Sequence, residues 1–179
     1  MAVVVVDYDP SWPDTFAALR APIWEAVRDI ALGVEHVGST SVRGLAAKPV
    51  IDMDVIVRSR SNIPPAIERL AVLGYEHRGD LGIQDREAFQ SPPGLPKHHL
   101  YLCVQGCAAV ENHLTIRDCL RRDPAAAAQY GLLKRQLAEQ FPTDIDRYVS
   151  GKTEFLLGVL RAAGFSDSEL SSIRTANQA

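Results

Sequence analysis

Val50-Ile51-Asp52-Met53-Asp54-Val55-Ile56-Val57 sets two carboxylates inside an otherwise apolar run of eight residues. On a strand, alternate side chains share a face. Ile51, Met53, Val55 and Val57 therefore point one way, and Val50, Asp52, Asp54 and Ile56 the other. A run apolar on both faces suits an interior strand. Burying two bare carboxylates side by side would cost several kcal/mol each, so they need cations, donors or a cleft. A divalent metal ion removes their mutual repulsion, and hard Mg²⁺ prefers carboxylate oxygens. The simpler alternative is a strand end whose acids sit in water.

Upstream lies Val34-Glu35-His36-Val37-Gly38-Ser39-Thr40-Ser41-Val42, a strand-like stretch closing on Gly38 and three hydroxyl residues. Glycine permits a tight turn and close approach of backbone N–H groups to an anion, and Ser39, Thr40 and Ser41 add donors. The GxxxxGK[ST] pattern of a Walker loop is absent. Twelve residues separate Ser39 from Asp52, enough for a connector that sets the turn beside the acidic strand. Lys48, on that connector, could neutralise phosphate charge. Arg43 reads as a solvated surface cation.

Val3 to Val6 read as a first strand. Phe16, Leu19, Ile23, Val27 and Ile30 recur at helical spacing, with Pro22 expected to kink or split the helix and Gly33 to end it. Asn62 can cap a helix carrying Ile63, Ile67, Leu70 and Ala71, stopped by Gly74. Tyr75 to Gln90 suggest short antiparallel strands, SPPGLPK a loop, and HHLYLCV (98–104) another strand. A helix is expected over Ala108–Arg121, a second from Asp123 and Pro124 with Tyr130, Leu133, Leu137 and Phe141 as its stripe, and a third carrying Ile145, Val149, Leu156 and Val159. The division expected is an α/β core over 1–106, a helical segment packed on it over 107–165, and a flexible tail over 166–179.

The 179 residues fit one domain with a real core. Apolar residues make up 46% and charged residues 23%, and the net charge is -3. That charge argues against general coating of nucleic acid, which needs a basic excess, but a small phosphate ligand needs only a few local cations. The opening MAVVVVDYDPSW has no basic leader, and no segment approaches the ~20 apolar residues of a membrane helix. Cys103, Cys107 and Cys119 lack CxxC spacing and read as small thiols in a reducing cytoplasm.

The order Gly38-Ser39, then Asp52-x-Asp54 on the next strand, resembles the signature of the nucleotidyltransferase superfamily, which includes DNA polymerase β and the aminoglycoside nucleotidyltransferases. The longer string HVGSTSVRGLAAKPVIDMDV is similar to the GrpB family, bacterial proteins also found fused to dephospho-CoA kinase. The resemblance continues through HHLYL, IRDCLRRDPAAAAQYGLLKRQLAEQF and Tyr148…Lys152…Phe155, from Asp7 to about Arg161. It implies an α/β (α+β) fold, a nucleotidyltransferase-like mixed sheet with flanking helices, followed by a C-terminal helical part. It also implies Gly38 and Ser39 as triphosphate contacts and Asp52 and Asp54 as metal ligands.

Active members of the superfamily add a third carboxylate on a later strand. The corresponding strand here, His98-His99-Leu100-Tyr101-Leu102, has none. GrpB-like sequences tend to carry HxH there, and this chain has Tyr101 in the second place. His99 and Tyr101 share a face, so His99 could bind metal or accept a proton in the acid's stead, or simply be a hydrogen-bonded strand residue. His98 faces away. Similarity to the family's lysine in the last helix suggests that Lys152 reaches an anion. Arg117 either pairs with Asp118 or faces phosphate.

The function expected is Mg²⁺-dependent (Mn²⁺ possible) transfer of a nucleoside monophosphate from a triphosphate, ATP first, to a small acceptor. Asp52, Asp54 and His99 are the catalytic candidates, with Gly38, Ser39, Thr40, Lys48 and Lys152 around the phosphates. Two other readings stand beside it: an ATP-dependent ligase that adenylates a carboxylate, and a nucleotide-binding module that has lost catalysis. A metal-dependent hydrolase would need a second acidic cluster to position water, and the sequence has none. The acceptor, the base preference and the oligomeric state are left open.

Overall fold

The computed structural model describes residues 2–176. The carboxylate run forms strand β2 (Ile51–Val57), hydrogen-bonded on both sides, as its two apolar faces require. Around it, β1 (Ala31–Val37), β3 (Glu76–His77), β4 (Arg86–Gln90) and β5 (His98–Val104) complete a mixed sheet of order β1-β2-β5-β4-β3. The β2–β5 pair is parallel and the others antiparallel. The chain between them crosses over through helix α2 (Ile63–Val72), the connection a parallel pair demands.

Period-two alternation divides the sheet into two faces. Ile51, Met53, Val55 and Val57 lie in the main core with Leu19, Ile23 and Val27 of helix α1 (Trp12–Val27) and with Ala66 and Leu70 of α2. The opposite face carries Asp52 and Asp54. There Ile56 and Cys103 meet Val110 of helix α3 (Ala108–Arg122), so α3 covers the face that holds the acids. Asp123 caps helix α4 (Pro124–Gln140), its side chain accepting from the N–H groups of Ala125 and Ala126.

Several expectations need correction. Val3–Val6 form no sheet strand: only Val6 bridges, to Ala47, while Val3 donates to Pro142 and packs on Leu137 and Tyr148. Helix α1 runs through Pro22 unbroken. Pro22 and Ala18 are both exposed, so water can satisfy the carbonyl that the ring leaves free. The helix ends at Val27, and Gly33 sits instead inside β1, at a shift of register. Asn62 precedes α2 without a side-chain cap.

The expected third C-terminal helix is two, α5 (Ile145–Gly151) and α6 (Thr153–Ala162), broken at Lys152, and Ile145 is exposed. The segment expected as a flexible tail holds helix α7 (Asp167–Ala176), anchored by Leu170 against Leu157 and Leu160. Residues 177–179 of that expected tail lie outside the described residues. Among the described residues, no helix is long and apolar enough to cross a membrane.

Candidate functional site

The parallel register sets Asp52 beside His99 and Asp54 beside Tyr101. His99 Nδ1 lies 2.8 Å from Asp52 Oδ1. A carboxylate only accepts, so Nδ1 carries the hydrogen, and in the neutral ring Nε2 is then the nitrogen with the lone pair, in a side chain 53% exposed. His98, on the other face, is buried and bonded to Tyr75 Oη at 2.8 Å and Pro96 O at 2.7 Å, away from Asp52.

Asp54 is fully buried, and its partner is His113 on α3, whose Nδ1 lies 2.8 Å from Oδ2. The sequence reading missed His113. Burial opposes its charged form, but Asp54, and Asp52 behind it, outweigh that and raise its pKa. Asp54 Oδ1 has no hydrogen-bond partner among the described residues. Across β1, Glu35 pairs with Asp54 in register and adds a third acid, again missed, but Arg117 Nη1 holds it at 2.7 Å. Arg117 also donates to Asp118 and to His36 O, so it is the structural ion pair of the two alternatives.

The Gly38 turn closes over Asp52. Gly38 has φ +67°, and a Cβ there would fall on Asp52 Oδ2 and 2.9 Å from Cγ. Ser39–Ser41 make one 3-10 turn, with Ser41 Oγ donating to Gly38 O at 2.6 Å. Thr40 is buried and already engaged, its hydroxyl 3.0 Å from His36 Nε2 and 3.3 Å from Val50 O. Gly38→Ala combines a strained backbone, worth about 1–3 kcal/mol, with displacement of Asp52. Gly44, at φ +80° with no neighbour within 4 Å, isolates the strain alone. Both alanine variants should melt lower by differential scanning calorimetry, but only Gly38→Ala should lose divalent-cation binding. Equal binding by the two would mean that the turn does not shape the site.

Beside Asp52 and His99, a cavity of about 80 Å³ is lined by Ser39, Thr40, Lys48, Lys134, Tyr148 and Lys152. The expected Ser39, Thr40, Lys48 and Lys152 thus meet Asp52 in one place, and exposed Arg43 stays out. Lys134, from α4, is an addition: its side chain is buried and Nζ has no hydrogen-bond partner among the described residues. Burial, then the neighbouring Lys152, lowers its pKa to about 7. Burial and Lys48 lower that of Lys152 to about 8. The ammonium groups of Lys48 and Lys152 lie 5.6 and 4.7 Å from the Tyr148 ring, and that of Lys134 4.5 Å from Tyr130. Three lysines therefore surround one small cavity beside Asp52, and the Nζ of the most buried of them, Lys134, has no acceptor among the described residues.

The donor set fits a divalent cation in part. Buried Asp54 Oδ1 is an orphaned acceptor of the right chemistry. Among the described residues, however, no group of three or more His, Cys, Asp or Glu side chains is arranged to hold a metal ion. Two carboxylates with the remaining positions left to phosphate oxygens and water is how Mg²⁺ is usually bound at nucleotide sites. A larger hollow of about 630 Å³ between α3, α4 and α6 is lined by Leu120, Phe155 and Val159 and by none of the candidate residues.

The family model described as GrpB protein matches residues 2–162. The chain is 36% identical to the UPF0157 protein YqkA of Bacillus subtilis over 86% of its own length and 45% of that protein's. It is 36% identical to the UPF0157 protein SCO7215 of Streptomyces coelicolor, covering 88% of this chain and 82% of that one. A dephospho-CoA kinase of Mycolicibacterium paratuberculosis matches at 29%, and the chain spans 46% of it. Some of these relatives are therefore about twice the length of the matched region. The crystal structure of the conserved protein GrpB from Enterococcus faecalis superposes with a TM-score of 0.79 at 32% identity, over 94% of this chain and 98% of that one. The MgGTP-bound Cid1 poly(U) polymerase superposes with a TM-score of 0.52 at 17% identity, over 75% of this chain and 44% of that one, a likeness of fold.

Proposed function

Since the chain belongs to the GrpB family and has the nucleotidyltransferase fold, we propose that it transfers a nucleoside monophosphate from a triphosphate, ATP first, to a small acceptor. The observation that carries this reading is that Asp52 does two things at once. It accepts from His99 and, together with that histidine, forms part of the wall of the lysine cavity. A phosphate tail in that cavity would present its reacting phosphorus at the carboxylates, next to the imidazole.

Lys48, Lys134 and Lys152 would hold the leaving pyrophosphate, with Ser39 as a further donor. The cavity is small against the ~300–1,000 Å³ of an ordinary ligand pocket, so it suits phosphates, with ribose and base outside. Asp52 and Asp54 would hold Mg²⁺ or Mn²⁺, which when bound neutralises phosphate charge. The acceptor oxygen or nitrogen forms a bond to the α-phosphorus, the bond to pyrophosphate breaks, and His99 Nε2 takes the acceptor's proton.

The experiment is pyrophosphate release with ATP, a divalent cation and a panel of small hydroxyl, amine and carboxylate acceptors. Carboxylates are included because an adenylating ligase would use the same site. His99→Ala should lower turnover by about 10²–10⁴-fold with triphosphate affinity nearly unchanged, the pattern of a group acting in the transition state. If affinity falls in step with turnover, His99 belongs to the binding machinery instead. One observation favours a second reading, a nucleotide-binding module: β5 carries no acid, and the third acid of this face is tied to Arg117. Triphosphate binding without pyrophosphate release from any acceptor would support it.

A further inference from the structure

We propose that His113 is the positioning residue for Asp54, an inference that rests on the cation-binding part of the reading above. From α3 it donates Nδ1–H to Oδ2 and so fixes Oδ1 as the oxygen offered to a cation. A carboxylate has two equivalent oxygens and can rotate. One donor that occupies Oδ2 removes that freedom. The strand alone cannot supply such a donor, because its own N–H groups are used by the sheet on both sides.

The imidazole is itself held. Cys107 N donates to Val104 O at 3.0 Å at the head of α3, and Val110 packs between Ile56 and Cys103. One turn beyond His113, Arg117 ties α3 to Glu35 and His36 O. Helix and strand are therefore tied together on both sides of the bond. His113 lines no part of the lysine cavity, so it acts through Asp54 and not on the phosphates. The pattern is that of outer groups which orient metal-binding side chains, whose loss lowers metal affinity about 10–100-fold.

Three full-length variants test it, with Mn²⁺ as the probe. Free Mn²⁺ is counted by electron paramagnetic resonance, with a non-hydrolysable triphosphate present. His113→Phe fills the space with no donor, and His113→Asn places an amide N–H near the position of Nδ1. His113→Phe should weaken Mn²⁺ binding about 10–100-fold, and His113→Asn should recover most of the loss. In an Asp54→Asn background, His113→Phe should add nothing further, since both changes act on one contact.

Wild-type affinity in His113→Phe overturns the proposal. So does tighter binding, which would make the imidazole a stand-in for the cation. An additive loss in the double variant would make His113 a packing residue, and it overturns the proposal even where His113→Phe folds poorly. A wild-type chain that binds no Mn²⁺ removes the cation reading itself, and the positioning role with it.

Discussion

Asp54→Asn should weaken metal-dependent triphosphate binding strongly, with the residual affinity that Asp52 still supplies, and lower pyrophosphate release by on the order of 10³-fold or more, the several kcal/mol that a bound metal contributes to the transition state. The substitution is chosen for what it keeps. An amide oxygen can still accept from His113 Nδ1, so the bond between α3 and β2 survives and only the negative charge is lost. Aspartate to alanine would instead leave a half-buried imidazole without its acceptor, and folding would confuse the result. Asp52→Asn should act in the same direction and keep the acceptor for His99. Calorimetry with a non-hydrolysable triphosphate, with and without chelator, decides it. Equal affinity in the Asp52→Asn/Asp54→Asn double variant, or with chelator present, would remove the cation from the site.

What was legible in the sequence follows from how far apart the deciding residues are. The faces of β2 could be read from eight residues, because strand alternation is local. Gly38-Ser39 and Asp52 are joined by a short connector, so their meeting was also within reach. The bond between His113 and Asp54 spans 59 positions and two kinds of element. Its signal was nevertheless present. Val110, His113, Leu114, Arg117 and Leu120 step along α3 at three and four residues, so a histidine and an arginine stand in its sheet-facing stripe.

Lys134 had a similar mark, four residues after Tyr130 and three before Leu137, in the buried stripe of α4. An apolar stripe was read there through Leu133, one residue away, which hid the lysine. Val3–Val6 failed for the opposite reason. Their β-branched side chains suit a strand, but propensity cannot say whether a sheet edge is available, and here only Val6 finds a partner.

Lys134→Met should make the protein more stable and a poorer receptor at the same time. Nζ is buried without an acceptor, so its charged form is disfavoured, and burial holds the folded-state pKa at about 7 against the usual 10.5. Between those values the unfolded chain binds the extra proton, so stability rises with pH from about 7 to 10.5, and below pH 7 the full cost is present. Lys152, lowered to about 8, adds to the same trend above that pH. Methionine fills the space of the lysine side chain without a charge. Its variant should melt several degrees above wild type at pH 6 to 7, at about 2–4 °C per kcal/mol for a chain of this size. The gap should narrow steadily at higher pH. Triphosphate works against that order, because the anion supplies the acceptor that the ammonium lacks. Loss of that charged contact, about 1.5–3 kcal/mol, should weaken triphosphate roughly ten- to a hundredfold. A triphosphate at a hundred times its Kd adds about 2.7 kcal/mol to wild type and much less to the variant. The gap between the two melting temperatures should therefore shrink as triphosphate is added. If Lys134→Met melts below wild type at pH 6, or binds triphosphate equally well, the buried amine is not the anion's partner and the cavity holds something else.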